Sequence, residues 1–98
     1  MLKGKNFEIT KKNILSHELI GLKAGVAQSS DENKKKVSGM VVDETKNIIF
    51  IEAGNVVKQV PKKEAVFEFL LGDEKVLVDG KKILFRPEDR VKVFWRHN

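Results

Sequence analysis

The clearest structural pattern in the sequence is AVFEFLL, residues 65–71, whose apolar residues recur at every second position. A period of two is typical of a β-strand, in which successive side chains point to opposite faces. One face carries Ala65, Phe67, Phe69 and Leu71, and the other carries Val66, Glu68 and Leu70. The alternation therefore predicts a strand that directs the first of these two sets into a hydrophobic core.

Shorter strand-like segments lie on both sides of this stretch. They cover residues 22–28, 37–43, 47–52, 56–61, 76–78 and 82–85. The dipeptide formed by Asp79 and Gly80 is typical of a hairpin turn and is expected to join the last two segments. The pattern predicts a mainly β fold, a small and strongly bent antiparallel barrel of about six strands. Sm-like, SH3-like and OB barrels all fit this description.

A helical pattern precedes the first strand. Thr10 is a suitable N-cap, and Leu15 and Leu19 lie four residues apart on one helix face. Gly21 can end the helix in a left-handed conformation. We therefore predict a helix over residues 11–20. An N-terminal helix favours the Sm-like barrel among the three alternatives.

The C-terminal segment carries a second helical signal. Pro87 fits the first position of a helix, and the acidic Glu88 and Asp89 suit its first turn. A short helical turn is therefore expected over residues 86–90. Residues 91–96 fit either a strand or a helix.

Length and composition indicate one soluble domain. The chain has 98 residues, of which 41% are hydrophobic and 34% charged, and it contains no cysteine. Disulfide frameworks and cysteine–zinc sites are therefore excluded. No apolar run approaches the roughly 20 residues of a membrane span, so we expect a cytoplasmic protein without a membrane partner. We predict a flexible segment over residues 1–9, one Sm-like barrel domain over residues 10–92 and a tail over residues 93–98.

The charge is distributed unevenly along the chain. The formal net charge is +5, and it divides into +4 for residues 1–36, −3 for residues 37–80 and +4 for residues 81–98. Two basic ends on one face would attract a phosphate-bearing partner such as a nucleic acid. The alternative is that the lysines only keep a small protein soluble.

Residues suited to catalysis are few. Adjacent carboxylates occur at 43–44, 73–74 and 88–89, where turn formation and helix-dipole pairing explain them. His17 has no second histidine or cysteine at metal-ligand spacing, and the chain contains no nucleophile-elbow or phosphate-loop motif. We therefore predict no catalytic site, no metal site and no cofactor bound by the chain, and we do not expect the polypeptide itself to be catalytic.

The basic residues are the candidates for RNA binding. They cluster in expected loops and near the C-terminus, and loops at the rim of small barrels commonly contact RNA. Arginine grips phosphate through paired hydrogen bonds, which makes Arg86 and Arg90 the strongest of them. The full set is Lys34, Lys35, Lys36, Lys62, Lys63, Lys81, Lys82, Arg86, Arg90, Lys92 and Arg96.

Three runs of sequence resemble the archaeal ribonuclease P protein component 1 family. They are HELIGLK at residues 17–23, GMVVDETKN at residues 39–47 and RPEDR at residues 86–90. This family is the counterpart of the Sm-like barrel subunit of the eukaryotic enzyme. The resemblance implies a six-stranded Sm-like barrel within a ribonucleoprotein that removes 5′ leaders from precursor tRNA. In that enzyme the RNA performs the chemistry with bound magnesium.

The resemblance also implies partners. It places Arg86 and Arg90 on a basic face, and it places the first run on a helix that pairs with another small protein subunit. Ile14, His17 and Glu18 are accordingly the candidates for the interface with that subunit. The expected partners are ribonuclease P RNA, precursor tRNA indirectly, and at least one further small protein subunit. The alternatives are a ribosomal or other Sm-like or SH3-like RNA-binding protein, and a protein-interaction module that binds no RNA.

Overall fold

The computed structural model describes residues 14–16 and 18–95, and its main feature is one six-stranded antiparallel sheet. The strands are β1 Lys23–Ser29, β2 Ser38–Glu44, β3 Ile48–Ala53, β4 Val56–Pro61, β5 Ala65–Leu71 and β6 Glu74–Asp79. Their order across the sheet is β4-β3-β2-β1-β5-β6. The predictions of a mainly β fold and of about six antiparallel strands are confirmed.

The alternating stretch forms β5, which lies between β1 and β6. Phe67 and Phe69 are fully buried, and their ring centroids lie 6.1 Å apart. Ala65 is buried as well, and Leu71 packs against the core while remaining partly exposed. The sequence therefore predicted correctly which face of this strand enters the interior.

The core is one cluster to which every strand contributes, including the edge strands β4 through Val60 and β6 through Val78. The sheet must curve for its two edges to share one core. Within the described residues no ladder pairs β4 with β6, so the sheet is open in its hydrogen bonding. Two 3₁₀ helices, Lys62–Glu64 after β4 and Gly80–Ile83 after β6, contact each other across that gap.

The hairpin predicted at Asp79 and Gly80 is wrong. Asp79 instead caps the 3₁₀ helix that follows β6, because its Oδ1 accepts a hydrogen bond from the backbone N–H of Lys81 at 3.0 Å. Gly80 is required for close packing, since a Cβ there would collide with the carbonyl oxygen of Lys62. The β5–β6 hairpin turns at Gly72, with φ of +62°, and residues 82–85 form no strand.

The predicted N-terminal helix is not supported in the described residues. The chain forms one 3₁₀ turn over Ile14–Ser16, and residues 18 and 19 are not helical; residues 11–13 and His17 lie outside the described part. The N–H of Gly21 donates to the carbonyl of Val41 at 2.8 Å, so the backbone already pairs with β2. This tertiary pairing outweighs the local helical pattern.

The C-terminal helix is longer than the predicted turn. Helix α1 covers Pro87–Trp95, begins at the proline as expected, and extends beyond the predicted end of the domain at residue 92. Residues 91–95 are thus helical, which decides between the two alternatives for this segment. The predicted segment 1–9 and residues 96–98 lie outside the described residues. None of the helices that the structure describes is long and apolar enough to cross a membrane.

Candidate nucleic-acid interface

The structure separates the predicted RNA-binding residues into exposed, buried and undescribed ones. Seven are exposed and Lys34 is partly exposed, whereas Lys62 and Arg90 are buried and Arg96 lies outside the described residues. The exposed residues are Lys35, Lys36, Lys63, Lys81, Lys82, Arg86 and Lys92. Exposure is required for contact with phosphate, so these eight described cations remain candidates.

Lys62 and Arg90 are turned away from solvent, and this corrects their assignment as phosphate-contacting residues. Both are 0% exposed, and both bind the carboxylate of Glu44 at the end of β2. Lys62 Nζ donates to Glu44 Oε2 at 2.8 Å. Arg90 donates through Nε to Oε2 at 3.1 Å and through Nη2 to Oε1 at 2.9 Å, which is a bidentate pair.

These three side chains, which we call the buried charge cluster, connect distant segments. Arg90 reaches Glu44 from α1, and its Nη1 donates to the carbonyl of Leu15 at 2.7 Å. Lys62 also donates to the carbonyl of Phe85 at 3.0 Å. The cluster therefore ties the N-terminal turn, β2, the β4–β5 link and the C-terminal helix into one unit.

The electrostatics of the cluster are dominated by burial. Within the described residues, the one carboxylate of Glu44 accepts hydrogen bonds from both cations. Burial lowers the pKa of Lys62 from its usual value near 10.5. The hydrogen bond and the charge of Glu44 raise this pKa in part, and the nearby Arg90 lowers it further.

Hydrophobic periodicity did not predict that Glu44 points inward. Val41 and Glu44 are three residues apart, and both are buried. In a regular strand such residues face opposite sides. The register of β2 against β3 shifts between Val41 and Asp43, and this bulge directs Glu44 into the interior. The sequence feature that accompanies the buried charge cluster is a carboxylate at the end of a strand together with cations elsewhere in the chain. Hydrophobic periodicity does not reveal that these groups meet.

Two predicted cations meet where the 3₁₀ helices touch. Lys63 and Lys81 line one depression, together with the end of β1 and the acidic Glu64 and Asp79. We call this the 63/81 depression. The N–H of Ser30 donates to the carbonyl of Glu64 at 3.0 Å, which holds the end of β1 against the link between β4 and β5.

A second pair of cations lies on the adjoining surface. Lys34 lines a depression with Lys58 and with Glu64, which it shares with the 63/81 depression. Lys58 was missed because it is a single lysine within a strand. Lys35, next to Lys34, forms an ion pair with Glu32 at 3.0 Å, which compensates part of its charge. The four lysines that line these two depressions therefore lie along one continuous surface.

The remaining cations do not join that surface. Arg86 shares a different depression with Lys46, beside the β2–β3 turn. Lys36, Lys82 and Lys92 are exposed but line none of these three depressions. The predicted set is therefore spread over more than one surface.

The predicted partner-interface residues are divided as well. Ile14 is 2% exposed and belongs to the core, so its side chain does not offer a docking surface in this structure. Glu18 is exposed, and His17 lies outside the described residues. Among the described residues no group of three histidine, aspartate or glutamate side chains could hold a metal ion.

Sequence similarity to known proteins covers nearly the same residues as the described fold. Residues 12–93 match the family model described as ribonuclease P/MRP, subunit p29. Ribonuclease P protein component 1 of Pyrococcus furiosus is 44% identical over 89 residues, which cover 90% of this chain and 70% of the relative. The protein of the same name from Methanosphaera stadtmanae is 45% identical over 85 residues, covering 86% and 91%.

A solved structure is also similar. It is that of Mth11, described as a homologue of human RNase P protein Rpp29. The superposition has a TM-score of 0.57 at 43% sequence identity, and it covers 76% of this chain and 97% of that chain. Sequence and fold therefore point to the same relatives.

Proposed function

Since the chain belongs to the ribonuclease P/MRP subunit p29 family, we propose that it is a protein subunit of ribonuclease P that binds the RNA of the enzyme. The resemblance seen in three runs of sequence is confirmed by a match that covers residues 12–93. This match carries the proposal, and it favours ribonuclease P over a ribosomal protein or an RNA-free interaction module.

The RNA-binding surface that we propose is the continuous one formed by Lys34, Lys58, Lys63 and Lys81. Its lysines come from four different segments, and the fold brings them together around Glu64. Lysine ammonium groups on 3₁₀ helices and strands suit contacts to phosphate, which fix the position of the RNA without reading its sequence. Arg86 and Lys46 would form a second, smaller contact.

The protein's part in the reaction is binding and orientation. The RNA of the enzyme supplies the hydrolysis of the phosphodiester bond that releases the 5′ leader, together with magnesium held by that RNA. The exposed lysines would neutralise phosphates so that RNA segments can approach one another. Precursor tRNA would be affected indirectly, through the shape of the RNA.

Two finer features belong to the same proposal. The curved sheet would act as an Sm-like barrel whose gap is covered by the two contacting 3₁₀ helices. A second small protein subunit would dock on the N-terminal segment, where Glu18 and the 42%-exposed Ile20 are available. We propose these two residues in place of Ile14, because the side chain of Ile14 is buried in the core.

The test compares two double variants of equal charge. Lys63→Ala with Lys81→Ala removes two cations from the proposed surface, whereas Lys82→Ala with Lys92→Ala removes two exposed cations that line neither of its depressions. Each variant is titrated into ribonuclease P RNA of the same organism, and its affinity is measured at several salt concentrations. We expect the first variant to bind about tenfold more weakly and to lose about two units of salt slope, because each phosphate contact contributes about one.

The matched variant should retain most of its affinity. Equal losses in both variants, or unchanged binding in the first, would contradict the proposed surface. Failure of the unmodified protein to bind this RNA at low salt would contradict the RNA-binding function itself. Leader removal from precursor tRNA by the reconstituted enzyme should follow the same order as affinity.

A further inference from the structure

A groove of about 450 Å³ lies on the outer face of the sheet, over β1 and its two neighbours. Strand register arranges its lining in two rows that cross the sheet. The first row consists of Met40, Lys23, Leu70 and Lys75. The second row consists of Ser38, Gly25 and Glu68. Adjacent strands lie about 4.8 Å apart, so the groove spans roughly 10 Å between β2 and β5.

Gly25 forms the floor of this groove because it has no side chain at an outward position. The fold does not require glycine there. A Cβ would lie 3.5 Å from the carbonyl oxygen of Val37 and 3.7 Å from Ser38 Oγ, which are ordinary contacts. Its φ is not positive, unlike that of Gly72. Neither the backbone conformation nor the packing requires glycine at this position. The effect of glycine here is to leave the space above the strand open.

The lining combines three kinds of group. Met40, which is 43% exposed, and the half-buried Leu70 flank Lys23 in the first row, so they offer apolar surface beside the floor. Lys23 lies between them and Lys75 lies at the β6 end of the same row, and both are exposed cations. The half-buried carboxylate of Glu68 lies in the second row, so the groove carries one net positive charge. A complementary ligand is flat and apolar on its faces, anionic at its ends, and able to donate hydrogen bonds from one edge.

We propose that this groove binds a single unpaired nucleotide of RNA, with guanine preferred. The base would rest on Gly25 between Ser38 and Glu68, with Met40 and Leu70 beside it in the first row, and the flanking phosphates would approach the two lysines. Glu68 would accept hydrogen bonds from the N–H groups on the Watson–Crick edge of guanine. This inference rests on the proposed function, which supplies the RNA, but it uses none of the lysines of the 63/81 depression.

The first test fills the floor of the groove. Gly25→Val places a branched side chain there without changing any charge, and valine suits a strand. Ala27→Val is the matched control, because Ala27 is exposed on the same strand and lies outside the groove. The probe is the hexaribonucleotide UUGUUU, followed by amide chemical shifts of the full chain. We expect Gly25→Val to weaken binding about tenfold, equivalent to about 1.4 kcal/mol, and Ala27→Val to leave it unchanged.

The second test concerns base preference. The unmodified protein should bind UUGUUU about tenfold more tightly than UUUUUU, equivalent to about 1.4 kcal/mol, because uracil cannot donate the same pair of hydrogen bonds to the carboxylate of Glu68. Glu68→Ala should bring the two affinities close together. Removing the negative charge of Glu68 should raise the affinity for both hexamers equally. The ratio of the two affinities therefore reports base preference alone.

Several outcomes would overturn the inference. Gly25→Val could bind the hexamer as tightly as the unmodified protein, or the unmodified protein could fail to bind it. The hexamer could also shift only amides outside residues 23–25, 38–40 and 68–70. Shifts of the same amides on raising protein concentration alone would identify a self-association surface instead. If the lysine double variant loses ribonuclease P RNA while Gly25→Val has no effect on the hexamer, the groove fails and the proposed function stands.

Discussion

Glu44 is the residue on which the interior electrostatics depend, because it is the carboxylate partner of both Lys62 and Arg90. An ion pair buried in this way is not in itself a source of great stability, since desolvation offsets the attraction. Removing one partner is different, because it leaves a charge buried without compensation.

Glu44→Gln should therefore lower the free energy of unfolding by about 3–5 kcal/mol. Urea denaturation, followed by circular dichroism, measures this loss. Glu52→Gln is the control, because Glu52 is exposed on β3 and its loss should change stability by less than about 0.5 kcal/mol. A cost below about 1 kcal/mol for Glu44→Gln would show that the cluster is not held as the structure indicates.

Lys62 makes stability depend on pH in a direction that follows from its lowered pKa. Between the folded-state pKa and the usual value near 10.5, the unfolded chain binds more protons than the folded chain. Unfolding free energy therefore rises with pH in that window. Lys62→Met removes this contribution, so the stability of the unmodified protein relative to Lys62→Met should increase as pH approaches 10.5.

Denaturant titrations at a series of alkaline pH values provide the comparison. Lys63→Met is the matched control, since Lys63 is the exposed neighbour in the same 3₁₀ helix and should show no such trend. A relative stability that stays flat or falls with rising pH would contradict the lowered pKa.

For single elements, sequence periodicity predicted the structure correctly where one face of a strand is buried. It failed where tertiary contacts determine the backbone conformation. The alternation in β5 indicated its inward face, and β4 has the predicted bounds Val56–Pro61. Asp79 and Gly80 fit a hairpin turn and a capped 3₁₀ helix equally well. The choice between them depends on the carbonyl of Lys62, which local sequence does not contain.

The same limit applies to the candidate site. Loop position identified Lys63 and Lys81 as exposed cations, but charge alone could not distinguish them from Lys62. That distinction arises from the bulge in β2, which turns Glu44 inward toward Lys62.

The 3₁₀ helix Gly80–Ile83 depends on the glycine at its first position. Gly80→Ala should destabilise the protein by at least about 2 kcal/mol, because the new Cβ meets backbone carbonyls of Lys62 and Ala65 that cannot move aside cheaply. Gly25→Ala introduces the same atom where contacts are ordinary, and it should cost less than about 1 kcal/mol. Thermal unfolding of the two variants measures the difference, and equal midpoints would contradict the close approach of the two 3₁₀ helices.

At the scale of the whole molecule, Arg90 joins the two ends of the described chain to the sheet. Its guanidinium binds Glu44 on β2 and the carbonyl of Leu15, while α1 packs against the Ile14–Ser16 turn. The sheet has its own continuous core, so it should remain folded when this attachment weakens. Local opening of α1 should then occur without global unfolding.

Arg90→Lys tests this organisation, because lysine keeps the charge but cannot reproduce the bidentate pair and the third hydrogen bond together. Native-state hydrogen exchange should show amides of α1 losing about tenfold in protection or more, equivalent to about 1.4 kcal/mol, while amides of β5 keep theirs relative to global stability. Arg86→Lys, at an exposed position just before α1, should leave both sets unchanged. Equal loss of protection in α1 and β5 would mean that the helix and sheet unfold as one unit. Unchanged protection in α1 would mean that its packing, rather than Arg90, holds it in place.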